Sequence, residues 1–242
     1  MTKLFFLAAA ALLAGPNGRA QNALAAARVQ ERSVATFDAI DVTDGIQVYV
    51  RDGQIARLQV DASTQGLRDK IKTVVAGNVL KVYFDASGDP AWHGLVGSRE
   101  EFKVYVSTHE LQALTAAKGA AVTLESFPAG AGTLAVRLLS GARLAGSVRV
   151  NTLDIKLRGG ATASVTGTAA VVNVRATEGS GFRSPGFKAG QCTAFAASAS
   201  AVRLAVAGSL DAESVNEAVI EYSGPAALTR EHREQNGRIL HI

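Results

Sequence analysis

The sequence has little of the chemistry that most enzymes display. Among 242 residues there is a single cysteine, Cys192, so no internal disulfide can form. A thiol without a second cysteine or a sequence-local histidine lacks the partners of a catalytic cysteine. We expect Cys192 to be buried as a small apolar side chain, the usual environment of a free cysteine.

Metal-binding and catalytic motifs are missing as well. The four histidines, His93, His109, His232 and His241, are scattered, and no two have the spacing of a zinc-binding helix or finger. The sequence contains no Gly-x-Ser-x-Gly nucleophile elbow, no P-loop and no Gly-x-Gly-x-x-Gly after a strand. We therefore predict neither a metal nor a cofactor.

Long hydrophobic runs are absent beyond the N-terminus. Lys3 is followed by an apolar run from Leu4 to Leu13 and then by Gly18-Arg19-Ala20. This order predicts a secretory signal peptide over residues 1–20, cleaved after Ala20, and then a flexible linker over residues 21–32. A short signal anchor is the alternative, although the run is shorter than the roughly 20 residues of a transmembrane helix.

The sequence also has little excess charge. Without residues 1–20 the chain keeps 23 basic side chains, two fewer than the full 25, against 21 acidic ones. A net charge near +2 is too small to indicate a nucleic-acid-binding protein. We expect an exported protein with no transmembrane segment after cleavage, located in the periplasm, on the outer-membrane surface or outside the cell.

From Ser33 onward, apolar and polar residues alternate with the period of β-strands. In "FDAIDVTDGIQVYVRDG" (37–53), the dipeptides Asp44-Gly45 and Asp52-Gly53 predict the turns of a first hairpin, whose partner strand is "IARLQVDA". A second hairpin is predicted in "IKTVVAGNVLKVYF", with its turn at Ala76-Gly77-Asn78. Residues 65–70 form the one helical turn predicted in this half.

The aspartates of the first hairpin do not match a calcium loop. An EF-hand loop has acidic residues at alternate positions before its glycine. Asp38, Asp41 and Asp44 lie three apart instead, so in a strand Asp41 takes the face opposite to the other two. We therefore interpret this stretch as structural.

Beyond Thr108 the sequence becomes rich in Ala, Gly and Ser and repeats every 19 to 22 residues. The corner positions Gly119, Gly141, Gly160, Gly179 and Ala199 are separated by 22, 19, 19 and 20 residues. A second set of corners is predicted at Gly146, Gly167, Gly186 and Gly208. Two turns per unit joined by short strands predict an all-β fold, a right-handed parallel β-helix-like solenoid with rungs of about 20 residues, preceded by N-terminal β-hairpins.

Stacking of the rungs predicts columns of side chains. Val136 and Leu138 should point inward in register with Ile155 and Leu157 of the next rung and Val174 and Ala176 of the one after. Between them Arg137, Lys156 and Arg175 each lie four residues before a corner glycine, so they form one outward column. This column is either a solvated face that discourages aggregation or a basic stripe for a polyanion such as an acidic glycan or lipopolysaccharide phosphate.

The stretches "FDAIDVTDGIQVYV" and "LQVDASTQGLRDKIKTVVAGNVLKVYF", with the later small-residue corners, resemble the head GIN domain family, described as "putative auto-transporter adhesins" of bacterial cell envelopes. The resemblance covers about residues 33–225. Gly45 and Ile46 match the Gly-Ile of the motif, whereas Gln47 stands where the family has Asn. The Ser-Gly corners survive at Ser140-Gly141 and Gly179-Ser180-Gly181. The resemblance implies a secreted β-helix-like protein with no established catalytic residues.

The predicted organisation is a signal peptide (1–20), a linker (21–32), an N-terminal β-hairpin part (33–110), a β-helical repeat part (111–225) and a C-terminal capping segment (226–242). The expected function is that of a non-enzymatic adhesin or scaffold module that binds a surface glycan, lipopolysaccharide or another envelope protein. The alternative is a carbohydrate-active β-helix enzyme acting on an acidic polysaccharide. Asp211, Glu213 and Glu217 are either its candidate carboxylates or solvated charges at the edge of the stack. Trp92, in the loop over residues 86–99, is the candidate aromatic contact to a sugar, or else it plugs the sheet edge.

Overall fold

A computed structural model describes residues 29–87, 101–125 and 132–242. These residues form 17 β-strands and one short helix. The predicted signal peptide, linker residues 21–28 and Trp92 lie outside the described residues.

In chain order, the elements are β1 (Val29–Arg32), β2 (Ala39–Val42), β3 (Gln47–Asp52), β4 (Arg57–Asp61), α1 (Gln65–Lys70), β5 (Ile71–Ala76), β6 (Val79–Phe84), β7 (Lys103–Thr108), β8 (Ala113–Ala116), β9 (Ala121–Glu125), β10 (Thr133–Leu139), β11 (Arg143–Arg158), β12 (Thr162–Thr177), β13 (Gly181–Ala197), β14 (Ala201–Val215), β15 (Val219–Ser223), β16 (Ala227–Glu234) and β17 (Arg238–His241). Most of the strands alternate buried and exposed side chains, whereas β1 and β16 are largely exposed.

Parallel pairing stacks these strands into a β-solenoid of about 6 turns with rungs of about 19 residues, which confirms the predicted fold class. Each of the long strands β11 to β14 runs from one corner to the next. Their second halves stack with β6, β2, β8, β10 and β16 in what we call ladder I. Their first halves stack with β7, β3, β9, β15 and β17 in what we call ladder II.

The corners that lead from ladder I to ladder II share one backbone conformation. Both residues of each corner have positive φ, in the pairs Asp44-Gly45, Lys118-Gly119, Ser140-Gly141, Gly159-Gly160, Glu178-Gly179, Ser198-Ala199, Asn216-Glu217 and Gln235-Asn236. Successive corners are joined by backbone hydrogen bonds, such as Gly141 N to Gly159 O and Gly160 N to Glu178 O, both 2.9 Å. All five predicted positions of the first set are corners, and Ala199 adopts the same φ (57°) as the glycines it replaces.

The prediction that Gly146, Gly167, Gly186 and Gly208 form a second column of corners is wrong. Gly146 pairs with Val165 of the next rung, whereas Gly167 pairs with Val148 of the previous one. Three of the four lie against the backbone of the previous rung. A Cβ would come within 2.2 Å of Leu124 O at Gly146, 1.9 Å of Val148 O at Gly167 and 2.8 Å of Gly190 O at Gly208, whereas Gly186 has no such contact. Glycine at the mid-strand bend therefore reports a close backbone approach, and the bend shifts along the strand from rung to rung.

The strands of the N-terminal part pair differently from the prediction. β3 does not form a hairpin with β4, because both of its edges carry parallel strands, β7 and β9. Asp44-Gly45 is the first solenoid corner, and β4 pairs antiparallel with β7 and β1. The second hairpin is present, with β5 and β6 antiparallel around Gly77-Asn78, and α1 lies in the predicted helical turn with Thr64 as its N-cap.

Strands extend to both ends of the described chain. Residues 29–32, predicted as part of a flexible linker, form β1. Within the predicted capping segment, residues 226–242, β16 and β17 add one more rung at the end of the stack. In this rung Glu231 and Arg233 are in register with the fully buried Ala212 and Ser214, and they form an ion pair where the lower rungs have apolar contacts. Inward-pointing charges on a terminal strand discourage pairing with a further strand.

The core is a continuous column of apolar side chains between the ladders. The predicted inward series Val136, Ile155 and Val174 is in register and buried. Phe182 and Phe187 are fully buried and meet edge to face with ring centroids 6.3 Å apart. Cys192 is buried, as expected, and burial raises the pKa of its thiol to about 12.

Candidate binding face

The three predicted cations occupy one register position on the outer face of ladder I. Arg137 pairs with Lys156, and Lys156 pairs with Arg175, on three successive rungs. All three are exposed and alternate with buried neighbours. Since paired strands lie about 4.8 Å apart, the three charges rise from adjacent rungs. We call them the basic column.

The basic column has few charged partners of its own. Within the described residues, neither Arg137 nor Lys156 forms an ion pair or a side-chain hydrogen bond. The Arg175 guanidinium lies over the ring of Phe195, with Cζ 3.8 Å from the ring centroid. Phe195 is the next residue in register, so this cation–π contact runs along the column. It fixes Arg175 without neutralising it.

The basic column is limited along the solenoid axis. Beyond Phe195 the same register position holds Glu213 and then His232. In the opposite direction it holds Thr115 and then Asp41. The contiguous run of cations thus covers three rungs, with an aromatic ring at one end and a hydroxyl at the other, and the next cation, Lys81, follows only beyond Asp41.

A groove lies on each side of the basic column. The larger groove, about 620 Å³, is lined on its far side by Ala135, Asp154, Asn173 and Thr193. The smaller one, about 470 Å³, is lined by Leu139, Arg158, Thr177, Glu178 and Ser198. Both grooves follow the solenoid axis, because each set of lining residues repeats from rung to rung. The basic column therefore forms a ridge between two shallow channels.

Each groove has one carboxylate, and each carboxylate is already bonded. Asn173 Nδ2 donates to Asp154 Oδ1 at 2.5 Å in the larger groove. Arg158 Nε donates to Glu178 Oε1 at 2.7 Å in the smaller one. Asn173 is neutral, so Asp154 keeps its negative charge, but the three cations of the basic column outnumber it and the net charge of the face is positive. Neither groove supplies the two carboxyl groups that glycoside hydrolysis requires.

The three predicted terminal carboxylates, Asp211, Glu213 and Glu217, do not all lie on one face. Asp211 and Glu213 share the outer face of β14, but Asp211 Oδ1 accepts a hydrogen bond from Arg230 Nε at 2.9 Å. Glu217 lies in a corner, with φ +61°. Among the described residues, no group of three or more His, Cys, Asp and Glu side chains could hold a metal ion.

Sequence reasoning missed Phe195, although a signal was present. Phe195 lies four residues before the corner Ala199, at the offset that places Arg137, Lys156 and Arg175 before their glycines. Phe195 is not basic, so a pattern of basic residues alone does not include it. Arg158, Asn173 and the two grooves could not be found this way, since they depend on side-chain conformations across neighbouring rungs.

A family model described as "Putative auto-transporter adhesin, head GIN domain" matches residues 36–226. The chain belongs to the head GIN domain family. Several solved structures share the head GIN fold with this chain. A "putative adhesin" from Bacteroides fragilis NCTC 9343 superposes with a TM-score of 0.74 at 16% identity, over 88% of this chain and 96% of that one.

Two further structures extend the comparison. A "putative adhesin" from Parabacteroides merdae ATCC 43184 has a TM-score of 0.65 at 16% identity, over 88% of this chain and 95% of that one. A "putative lipid binding protein" from Parabacteroides distasonis ATCC 8503 has a TM-score of 0.56 at 16% identity, over 88% and 96% of the two chains. At such identities the likeness concerns the fold. Comparison with curated proteins finds no match.

No helix in the described part of this head GIN protein is long and apolar enough to cross a membrane. Its one helix there, α1, has 6 residues.

Proposed function

We propose that this head GIN protein is a non-enzymatic binding module of the bacterial cell envelope, and that its basic column binds an anionic surface polymer. The observation that carries the proposal is the arrangement of Arg137, Lys156 and Arg175 on three successive rungs, between two open grooves. The polymer is an acidic glycan or the phosphorylated part of lipopolysaccharide.

The electrostatics of the face support an anionic ligand. Three like charges on adjacent rungs repel one another, and two of them have no counter-charge among the described residues. A polymer with anionic groups along its length would relieve that repulsion and release its own bound counter-ions. The stacked ring of Phe195 holds Arg175 in place, which lowers the entropy lost when the guanidinium binds an anion.

The grooves support a polymer over a small ion. Two grooves parallel to the solenoid axis offer room for the sugar rings of a chain whose charged groups lie on the ridge. Hydroxyl and amide groups of Thr193, Asn173 and Thr177 line them and suit sugar hydroxyls. These contacts set orientation, and the three cations supply the long-range attraction.

We also propose that the protein is exported. The apolar N-terminal run with its basic residue and small-residue end supports a signal peptide over residues 1–20. The family description as an adhesin supports a location at the cell surface or in the periplasm. The "lipid binding" description of one structurally similar protein makes lipopolysaccharide a reasonable probe.

The direct test is a binding screen of the protein without residues 1–20. An array of acidic glycans, neutral glycans and lipopolysaccharides would be probed at two salt concentrations, with wild type and an Arg137→Ala/Lys156→Ala/Arg175→Ala variant. We expect salt-sensitive binding to acidic polymers that the variant loses. Binding that survives the triple substitution would refute the role of the basic column.

The chain offers a matched control for that variant. Arg143, Arg149 and Lys188 are also exposed, lie on strands of ladder II and form no ion pair within the described residues. Their triple alanine variant removes the same number and kind of charges. Equal loss of binding in both variants would mean that net charge, and no particular face, attracts the polymer.

A further inference from the structure

A second polar depression lies on ladder II near the N-terminal end of the solenoid, away from the basic column. It has a volume of about 400 Å³, and its walls include Arg51, Arg57, Gln59, Tyr105 and Ser107. None of these residues belongs to the ridge or grooves of ladder I.

Strand register explains why two arginines meet there. Arg57 of β4 pairs with Ser107 of β7, and Ser107 pairs with Arg51 of β3. A small side chain on the middle strand is thus flanked by a long cationic one on each side. Strands two apart are separated by about 9.6 Å, which leaves a gap between the guanidinium stems above Ser107.

The neighbouring register position supplies an aromatic wall. Gln59, Tyr105 and Tyr49 lie side by side on the same three strands. The rings of Tyr105 and Tyr49 are stacked, with centroids 5.1 Å apart and planes 18° from parallel. This packing holds Tyr105 upright beside the gap, and Gln59 adds an amide group next to it.

The loop between β3 and β4 forms the rim. Ser107 Oγ donates a hydrogen bond to the carbonyl oxygen of Ile55 at 3.0 Å. Gly53 lies so close to β7 that a Cβ there would come within 2.9 Å of the Ser107 Cβ. The loop is thus tied to β7, and it presents Ile55, 65% exposed, at the edge of the depression.

The side chains in the wall of the depression carry a net positive charge. Arg51 and Arg57 contribute two guanidinium groups against one carboxylate, Asp52, which lies 3.3 Å from His109 Nδ1. Within the described ranges Arg57 has no ion-pair partner. Arg51 Nε is 4.0 Å from Glu125 Oε2, too far for a tight ion pair. Both guanidinium groups can therefore donate hydrogen bonds to an anion.

We propose that this depression binds a single acidic sugar through its carboxylate. A planar guanidinium presents paired N–H donors that match a carboxylate, and Arg57 and Arg51 can approach it from two sides. The Tyr105 ring offers an apolar wall to the C–H groups of the sugar, and Gln59 a hydrogen-bonding group to its hydroxyls. The site acts independently of the basic column.

The experiment is an NMR titration of the ¹⁵N-labelled protein without residues 1–20, with D-glucuronate, D-glucose and inorganic phosphate as separate ligands. Chemical-shift changes are followed at the amides of Tyr105 and Ser107 and at the side-chain amide of Gln59. We expect saturable changes with glucuronate at millimolar concentration and at least tenfold weaker binding of glucose. Phosphate binding as tight as that of glucuronate would overturn the assignment to a sugar.

An Arg57→Ala variant tests the arginine, and Arg143→Ala on the same ladder is its control. Loss of one charge-assisted hydrogen-bonding group should weaken glucuronate binding about tenfold or more in the first variant only. Unchanged spectra elsewhere in the protein would show that each variant is folded. Glucuronate binding that is unaffected by Arg57→Ala, or absent from the wild type, would overturn the proposal.

Discussion

Gly167→Ala should destabilise the protein far more than the same substitution at a corner. A Cβ at Gly167 would lie 1.9 Å from the carbonyl oxygen of Val148, whereas real Cβ atoms stay at least 3.0 Å from such atoms. The buried backbone of the neighbouring rung must therefore move by at least 1.1 Å, the difference between these distances. Since that backbone is hydrogen-bonded within the parallel ladder, we expect a loss of about 3–5 kcal/mol of unfolding free energy.

Gly160→Ala is the matched control. Gly160 also has positive φ, +72°, but nothing lies within 4 Å of its Cβ position. Only the left-handed backbone conformation is then penalised, which costs about 1–2 kcal/mol. Urea unfolding followed by circular dichroism, with midpoint and slope compared, measures both variants. If Gly167→Ala costs no more than Gly160→Ala, the close packing of rungs at the mid-strand bend is refuted.

Three further outcomes are expected. Ala199→Gly should stabilise the protein by about 0.5–1 kcal/mol in the same urea experiment, because alanine adopts φ +57° at that corner; destabilisation would contradict the corner geometry. Phe182→Ala should cost about 3–5 kcal/mol, against less than about 0.5 kcal/mol for Tyr83→Ala, because Phe182 is fully buried and Tyr83 is exposed. Cys192 should resist a thiol reagent at pH 8 until urea unfolds the chain, since burial raises its pKa to about 12; rapid labelling of the native protein would disprove its burial.

Local repetition made much of the solenoid predictable. The spacing of Gly119, Gly141, Gly160 and Gly179 reflects a backbone requirement that recurs once per rung, so it is visible in the sequence. The last two corners, Asn216-Glu217 and Gln235-Asn236, use no glycine, so the spacing of glycines does not reveal them. Asparagine, the residue that most readily accepts positive φ after glycine, is the signal that marks them.

The N-terminal part was less predictable because its pairings are non-local. Asp52-Gly53 is a strong hairpin signal, yet β3 finds its partners in β7 and β9, more than 50 residues further along the chain. The hairpin prediction considers only the sequence of the turn. Pairing of both β3 edges within the buried stack stabilises the fold more than a hairpin with β4 would. The β5–β6 hairpin was predictable because its strands do pair with their sequence neighbours.

The candidate site also has a part that the sequence predicts and a part that it does not. The basic column follows from a fixed offset to the corner glycines, and it could be derived from sequence alone. The groove walls, the Arg175–Phe195 contact and the Arg51/Arg57 depression depend on which strands become neighbours and on where long side chains point. The periodicity of the sequence determines neither the strand neighbours nor the directions of the long side chains.

The salt dependence of polymer binding tests the basic column most directly. With the counter-ion release coefficients of nucleic acids taken for the polymer, each neutralised charge adds about 0.7 to 0.9 to the slope of log affinity against log salt. Three cations acting together should weaken binding by about 20-fold to 40-fold between 50 and 200 mM salt. For the acidic polymer that binds best in the array, we expect the Arg137/Lys156/Arg175 alanine variant to lose that part of the slope and the Arg143/Arg149/Lys188 variant to keep it. An equal slope in the first variant and the wild type would contradict the proposed function.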